Sequence, residues 1–383
     1  MSTLKVSNIE NPSTSSGGID IDTSGHVTVD GVAMPSSGPL SNRNLIINGA
    51  MQVAQRSTSE AGQSTVDGYV ALDRWKIQAS SSGTFTILQS TEAPDGFANS
   101  LKFDCTTAAA PPYYLLFFQL LEGQDLQHIQ KGKSGAKQMT LSFYVRSSKT
   151  GTYQVNLRDI DNNRLVGSSY TISSADTWEY KSVTFAADTL GQFGNDNNAS
   201  LQVEWWLASG SVYSGGAVPT AWETRDNTDR AAALNVAIGA STNDDFYITG
   251  VQLEAGTVAT PFEHRSYGQE LSLCQRYYET CYQQGVAPGS STSQNNILAV
   301  CPGNVNRAYG HLQFQVKKRT SATIVFYSTS GASGKFRNAS QGTDITMSAA
   351  CSIGDSGISY EASSGIVSVT DRMQGLYTAE AEL

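Results

Sequence analysis

The chain has 383 residues and a formal net charge of −9, from 25 Lys and Arg against 34 Asp and Glu. Charged residues make up 15% of the sequence, where roughly 25% is usual for a soluble domain. Nucleic-acid binding requires clustered Lys and Arg, so this acidic balance argues against a nucleic-acid partner. Hydrophobic residues make up 39%, with 5 Trp, 17 Tyr and 13 Phe, which excludes an acidic disordered chain.

The start of the sequence has a single Lys5 and no apolar leader segment. The longest apolar stretch, Tyr113–Phe118, is far shorter than the ~20 residues of a membrane span. We therefore expect synthesis in the cytoplasm and no membrane insertion. The cysteines form no C-x-x-C pair and have no His at ligand spacing, so we expect reduced, mostly buried thiols. They are Cys105, Cys274, Cys281, Cys301 and Cys351.

Residues 1–40 have the pattern of an arm that carries a small hairpin. Apolar and polar residues alternate over Ile19–Asp22 and again over Val27–Gly31, with a turn between the two runs. This alternation predicts two paired strands. Two strands alone are marginally stable in water, so we expect the arm to become ordered against a partner or against copies of itself.

The segment 41–266 has the pattern of an antiparallel β-sandwich. Apolar residues occupy every second position in Leu141–Val145 and in Tyr153–Leu157, and turn-forming clusters separate the runs. In Leu201–Leu207 the odd-numbered residues share one face, which leaves Trp206 on the other. Short alternating runs with regular turns predict an all-β sandwich.

The run Phe246–Leu253 contains an irregularity. Its apolar phase slips by one residue at Thr249 and Gly250. An extra residue inserted into a strand produces such a slip. We therefore predict a β-bulge at this position.

Helical periodicity replaces the strand pattern in the segment 267–285. The apolar residues follow a 4-3-4-3 spacing, which is typical of a heptad seam. They are Tyr267, Leu271, Cys274, Tyr278 and Cys281. So short a helix does not stand alone. It is either a seam between chains that other domains hold together, or a connector that lies on its own sandwich.

The remainder, 286–383, begins with a loop and then returns to strand patterns. Six runs predict a second, smaller β domain. They are Ile297–Val300, Leu312–Val316, Thr323–Tyr327, Ile345–Met347, Ile366–Val369 and Leu376–Leu383.

Chemical sites have weak support in the sequence. The four His residues are scattered, so neither a zinc site nor a His-containing triad is indicated. The densest carboxylates are the pairs Asp159 with Asp161, Asp226 with Asp229, and Asp244 with Asp245. Each pair lies in an Asn-rich or polar turn, so we interpret these residues as turn formers. A calcium site and a catalytic carboxylate pair are the alternatives.

Aromatic residues are the better candidates for ligand binding, because sugar C–H faces stack on exposed rings. Trp206 is out of phase with the core face of its strand, and Tyr213 and Trp222 follow in a Gly- and Ser-rich connection. We predict that these three residues bind a ligand. The alternative is a second buried face against a neighbouring chain. Similar rings in the last domain cannot be ranked: Tyr309, Phe326, Tyr327, Phe336 and Tyr360.

Two stretches resemble a widespread family of bacteriophage tail fibre and receptor-binding proteins. The first is Asn44–Ser57 (NLIINGAMQVAQRS), followed after a loop by Leu72–Trp75 (LDRW). The second is Phe246–Tyr267 (FYITGVQLEAGTVATPFEHRSY), followed by Cys274–Tyr278 (CQRYY). The two stretches bracket the predicted sandwich, so the resemblance covers residues 44–278.

The resemblance implies a jelly-roll domain similar to carbohydrate-binding modules, carried in a homotrimeric fibre of the virion tail. On this basis residues 1–40 form the virion-attachment arm that binds tail or adaptor proteins, and 41–266 form the jelly roll. Residues 267–285 form the helical connector and trimer seam, and 286–383 form a distal β-sandwich tip. Jelly rolls of this kind often carry a calcium-ligating Asp in the last strand, where this chain has Ile248–Val251.

We therefore expect a tail fibre protein that is made in the host cytoplasm and recognises a host surface glycan without catalysis and without a cofactor. We expect this recognition to take place through the distal domain from residue 286 onward. Three weak sites on one fibre would bind more tightly together than singly. One alternative is a depolymerase that cuts the glycan, and another is a structural adaptor that binds no ligand.

Overall fold

The computed structural model describes residues 8–10, 18–36, 39–80, 83–110, 113–300, 307–362 and 371–383. Within these ranges the regular secondary structure is almost wholly antiparallel β-sheet, which confirms the predicted all-β class. No helix in the same ranges is both long and apolar enough to cross a membrane.

The predicted N-terminal hairpin is confirmed, and it belongs to a four-stranded sheet. The strands, in sheet order, are β1 (Asn8–Glu10), β2 (Gly18–Ile21), β3 (Val27–Val29) and β4 (Val32–Ala33). The sheet is held against the sandwich at Thr257. The His26 Nε2 atom lies 2.8 Å from Thr257 Oγ1, and the Thr257 N–H donates to Ser36 Oγ at 2.8 Å. The other parts of the predicted arm, 1–7, 11–17 and 37–38, lie outside the described residues.

The central domain is the predicted jelly-roll sandwich of two antiparallel sheets. Its strands are β5 (Ser59–Gln63), β6 (Val66–Tyr69), β7 (Lys76–Ser80), β8 (Thr84–Ser90), β9 (Ser100–Thr107), β10 (Tyr114–Glu122), β11 (Met139–Ser147), β12 (Gly151–Asp159), β13 (Arg164–Ile172), β14 (Glu179–Phe185), β15 (Ala199–Ala208), β16 (Glu223–Thr224) and β17 (Asp245–Ala255). Sheet I has the order β16-β13-β12-β15-β10-β7-β6. Sheet II has the order β14-β11-β17-β9-β8-β5. Helix α1 (Ser211–Ser214) and two 3-10 helices (Gly123–Ile129 and Asn227–Asp229) lie in the connections.

The core between the sheets is built around large aromatic side chains. As predicted from strand phase, Trp205 points inward, and its ring stacks on Phe117 with centroids 5.2 Å apart. Trp75 and Phe143 meet the same indole edge-on at 5.7 and 5.8 Å. Truncating one such buried ring to Ala typically costs about 3–5 kcal/mol. These rings therefore fix the spacing of the two sheets.

Helix α2 (Tyr267–Gln275) begins where the heptad pattern starts, but it ends six residues before Cys281. Ser266 caps its first turn in a capping box with Gln269. The predicted continuation of the helix to Tyr278 and Cys281 is wrong. Tyr278 lies in a strand that pairs with the last strand of the chain, and Cys281 follows that strand.

The seam side chains face their own chain rather than forming an exposed stripe. Cys274 is fully buried, and Tyr278 is buried with its ring 3.8 Å from the Arg56 guanidinium carbon. Leu271 and Cys281 are half-buried, and Tyr267 is 38% exposed. Cys274 and Tyr278 are therefore buried within their own chain, whereas the exposed ring of Tyr267 remains available to a neighbouring chain.

The second β domain is present as one eight-stranded sheet. Its strands are β18 (Tyr278–Thr280), β19 (Ile297–Ala299), β20 (Ala308–Gln313), β21 (Thr323–Ser328), β22 (Lys335–Asn338), β23 (Thr343–Ile353), β24 (Gly357–Ala362) and β25 (Met373–Glu380). The order is β18-β25-β22-β23-β24-β20, and β19 and β21 also pair with β25. Strand β18 belongs to this sheet, so the domain begins earlier than the predicted residue 286. The predicted strand Ile366–Val369 lies outside the described residues.

Buried ion pairs join this sheet to the sandwich. Arg74 is fully buried, and its guanidinium contacts the Glu382 carboxylate while lying 3.4 Å from the Tyr277 ring centroid. Arg56 reaches the same carboxylate at 3.1 Å. Leu383 packs into a small apolar cluster on the outer face of sheet I. Removing one partner of a buried pair leaves an uncompensated charge, so these contacts couple the two domains.

Candidate functional site

Of the three ring residues predicted to bind a ligand, Trp206 and Tyr213 pack together on the outer face of sheet I, whereas Trp222 packs in the core between the sheets. The exposed faces expected for Trp206 and Trp222 are absent. Trp206 does lie on the outer face of β15, as its strand phase predicts, but it is fully buried. The Tyr213 ring packs on it with centroids 4.9 Å apart. Trp222 is buried, and its Nε1–H donates to the Ala186 carbonyl at 2.8 Å. The connection 209–236 folds over this face and covers Trp206. The phase of the strand in the sequence does not reveal this cover.

A buried polar network fixes this cover in place. Arg230 forms two hydrogen bonds to the Glu204 carboxylate, at 3.0 and 2.6 Å. Trp206 Nε1–H and Asn156 Nδ2–H donate to the same carboxylate at 3.0 and 2.9 Å. Burial raises the pKa of Glu204, but Arg230 and these donors outweigh it and hold the pKa below its usual value. The network therefore stabilises the fold on this face, where Trp206 is fully buried and Tyr213 is half-buried.

The predicted turn-forming role holds for Asp226, which caps a 3-10 helix, whereas Asp159 and Asp245 lie in strands β12 and β17. Asp226 accepts from the Thr228 N–H at 2.8 Å, and Asp229 accepts from the Ala217 N–H at 2.8 Å. Asp161 accepts from the Gly194 N–H at 2.8 Å, while Asp159 lies 2.5 Å from Lys131 Nζ. Within the described ranges, no group of three or more His, Cys, Asp and Glu side chains is placed to hold a metal ion.

A groove with a volume of about 520 Å³ lies on the opposite side of the sandwich, on the outer face of sheet II. Ligand pockets typically have volumes of about 300–1,000 Å³. Strands β11, β14 and β17 form its floor, the N-terminal sheet forms one wall, and two loops form the others. Its lining residues are Gly31, Val32, Ala33, Asp95, Gly96, Phe97, Ser142, Tyr144, Tyr180, Gly250, Ala259, Thr260, Pro261, Phe262 and His264.

Aromatic rings line this groove. Tyr144 and Tyr180 are direct cross-strand neighbours on β11 and β14, with ring centroids 5.0 Å apart. Phe97 lies 5.6 Å from Tyr144 and 5.1 Å from Phe262, and the His264 ring lies 4.9 Å from Phe262. Tyr180 is 48% exposed. Successive rings are inclined by 55° to 73°, so the lining is concave rather than flat.

A glycine in the predicted β-bulge makes room for the rings. The register between β11 and β17 shifts after Ser142, which confirms the bulge. Gly250 has φ +61, and a Cβ there would lie 2.7 Å from Phe97 Cζ and 3.0 Å from Tyr144 Cδ2. Only glycine adopts this backbone conformation freely and leaves space for both rings. The bulge therefore shapes the floor of the groove.

Polar side chains in the groove have unused hydrogen-bonding capacity. Asp95 and His264 are exposed, and neither forms a hydrogen bond to another described residue. Thr260 is engaged differently, because it donates to the Glu254 carboxylate at 2.7 Å and accepts from Arg43 Nε at 2.7 Å. The groove therefore combines apolar rings with free polar groups at its rim.

The sequence contained one signal for this groove. Tyr144 occupies a polar-phase position of its strand, and Tyr180 does the same on β14. A large ring on the solvent phase of a strand is a candidate surface contact. Phe97 and Phe262 lie in loops distant in sequence from both strands, and nothing in the sequence shows that these four rings meet.

The distal aromatic residues are mostly structural. Phe326, Phe336 and Tyr360 are buried in the core of the second domain. Tyr309 is 40% exposed and pairs across the sheet with Val300, which is 69% exposed. Tyr309 therefore offers one exposed ring on an apolar patch.

No protein-family model matches the chain, and no curated protein matches its sequence. Among solved structures, it is similar to the enzymatically active domain of tailspike protein 4 of bacteriophage CBA120, with 13% identity and a TM-score of 0.30. That match covers 55% of this chain and 21% of the tailspike chain. The family 11 carbohydrate-binding module of the Clostridium thermocellum cellulase Lic26A-Cel5E has 9% identity and a TM-score of 0.27, covering 52% and 98%. Likenesses at these values assign neither a family nor a function to the chain.

Proposed function

We propose that this chain is a bacteriophage tail fibre protein that binds a host surface glycan through the groove on sheet II. The observation that supports this best is a groove lined by half-exposed, mutually inclined aromatic rings with free polar groups at its rim. The sequence resemblance at 44–278 supports the tail fibre assignment. The groove lies on the jelly-roll domain, whereas the expectation from the sequence is a site in the distal domain.

A carbohydrate suits this combination of groups. The C–H faces of a sugar pack on Tyr144 and Tyr180, while its hydroxyls donate to Asp95 or exchange hydrogen bonds with His264. The rings are inclined to one another, so a flat crystalline surface cannot contact them together. A single glycan chain lying along the groove can do so.

Binding without cleavage is part of the proposal. Glycoside hydrolysis uses two carboxyl groups about 5–9.5 Å apart on either side of the scissile bond. Among the described lining residues, Asp95 is the carboxylate that faces the groove. Three chains in one fibre, attached to the tail through residues 1–40, would raise the avidity of a weak site without new contacts.

The test is binding of the full chain to an array of bacterial surface polysaccharides. We expect Tyr180→Ala and Tyr144→Ala to lose at least about ten-fold in affinity, since one lost ring contact of about 1.4 kcal/mol is ten-fold. The matched control is Tyr309→Ala, which removes an exposed ring in the distal domain. If Tyr309→Ala alone abolished binding, the binding site would lie in the distal domain.

Two further outcomes of the same array contradict the proposal. New reducing ends in a bound polysaccharide would indicate a depolymerase. Absence of binding to every polysaccharide by the wild-type chain would favour a structural adaptor. Light scattering checks the homotrimer separately, and a monomer would contradict the fibre.

A further inference from the structure

We propose that the groove selects an uncharged glycan chain and that Asp95 disfavours glycans carrying carboxylate or phosphate groups. This inference rests on the glycan-binding function proposed for the same groove. It follows from the charges on the groove surface rather than from its shape.

Asp95 is the charged side chain that the groove leaves free. It lies in the turn before Phe97, where the Phe97 N–H donates to the Pro94 carbonyl at 3.1 Å. It is exposed, and no described residue donates a hydrogen bond to its carboxylate or pairs with it. Asp95 and Phe97 line the same part of the groove, so a ligand that contacts Phe97 also meets this carboxylate.

The cation that follows Tyr144 on the outer face of β11 is already paired with carboxylates. Arg146 lies two residues beyond Tyr144 on the same face of β11. Its guanidinium contacts the Glu92 carboxylate and lies 3.7 Å from Asp176. An anionic sugar would have to displace one of these carboxylates to reach it.

The cation beneath the opposite wall is also engaged. Arg43 lies 3.7 Å from the Glu254 carboxylate and 3.9 Å from that of Glu263. It also donates to Thr260 Oγ1 and to the Pro261 carbonyl, both at 2.7 Å. Within the described part of the chain, the groove lining therefore offers no free Arg or Lys to an anion.

Acidic glycans need such a group. Carboxylates and phosphates are recognised by charge-assisted hydrogen bonds, above all from Arg. Here an anionic sugar meets Asp95 instead. Like charges about 5 Å apart weaken binding roughly four-fold at the dielectric constant of bulk water, and roughly 17-fold at half that value. A neutral sugar meets no such repulsion, and its hydroxyls can donate to Asp95.

The experiment compares each neutral polysaccharide bound on the array with its C6-oxidised form, in which primary alcohols become carboxylates. We expect the full chain to bind the oxidised form at least about four-fold more weakly at low salt. Salt screens exposed charges, so the difference should shrink at about 0.5 M salt. In Asp95→Asn, the ratio of the affinity for the neutral form to that for the oxidised form should move closer to one.

A matched control isolates the position of the charge from the net charge. Asp67→Asn also removes one exposed carboxylate, but on β6 of sheet I, where Asp67 pairs with Lys76. It should leave the ratio as in the wild type. The role of Asp95 would be overturned if Asp95→Asn left this affinity ratio unchanged. It would also be overturned if Asp67→Asn changed the ratio as much as Asp95→Asn does.

Failure of this inference is distinguishable from failure of the proposed function. Tighter binding of acidic than of neutral polysaccharides by the wild type overturns the selection while the groove remains the binding site. Absence of binding to every polysaccharide overturns the proposed function itself, and this inference with it.

Discussion

Replacing Gly250 by Ala tests whether the bulge shapes the groove. A left-handed backbone costs a non-glycine residue roughly 1–2 kcal/mol, offset by roughly 0.4–1 kcal/mol because Ala lowers the entropy of the unfolded chain. The new Cβ would also lie 2.7 Å from Phe97 Cζ, so the ring must move. Each aromatic pair contributes roughly 0.5–1.5 kcal/mol, and Phe97 pairs with both Tyr144 and Phe262. We therefore expect a loss of about 2–3 kcal/mol in the free energy of unfolding.

The control is Gly62→Ala on strand β5. Gly62 has φ +75, and a Cβ there meets nothing within 4 Å. It carries the backbone strain without the ring contact, so about 1 kcal/mol should be lost. Urea unfolding measures both losses, and array binding measures affinity. Gly250→Ala should also weaken glycan binding at least about ten-fold. Equal stability losses in the two variants, with wild-type affinity in Gly250→Ala, would refute the reasoning.

The remaining predictions concern the buried networks. Trp206→Ala should lower the free energy of unfolding by about 3–5 kcal/mol in urea, and glycan affinity measured on the folded variant should stay at the wild-type value. The pKa of Glu204 is lower in the folded protein than its value of 4.5 in the unfolded chain. The Glu204 carboxylate therefore stabilises the folded state above pH 4.5, and this stabilisation is lost as the pH falls through the folded-state pKa. Between about pH 6 and 3, the urea midpoint should therefore fall less steeply with decreasing pH in Glu204→Gln than in the wild type. Identical pH dependence of the two midpoints would contradict this. Glu382→Gln should lower the free energy of unfolding by about 3–5 kcal/mol because Arg74 stays buried and charged. Calorimetry should then show the two domains melting separately. A single transition at the wild-type temperature would argue against the coupling.

The fold could be predicted to a large extent because strand phase is a local property. The alternation in Leu201–Leu207 correctly placed Trp205 inside and Trp206 outside, and the phase slip at Gly250 correctly located the bulge. What covers an outer face depends on segments distant in sequence. The connection 209–236 buries Trp206, and no local pattern shows this.

The helix shows how a local pattern can mislead. The spacing from Tyr267 to Cys281 fits a heptad, but hydrogen bonds to β25 pull Tyr278 and the next residues into a strand. Partners at the other end of the sequence therefore overrode the local periodicity. The groove was missed for a related reason, since Phe97 and Tyr144 meet only in the folded sandwich.

A crystal structure of the chain with an oligosaccharide cut from a polysaccharide that it binds would test the central claim most directly. The account predicts a single glycan chain along the groove on sheet II, with sugar faces against Tyr144 and Tyr180 and a hydroxyl group at Asp95. A sugar seated on the Tyr309 patch of the distal domain, with the groove empty, would contradict it.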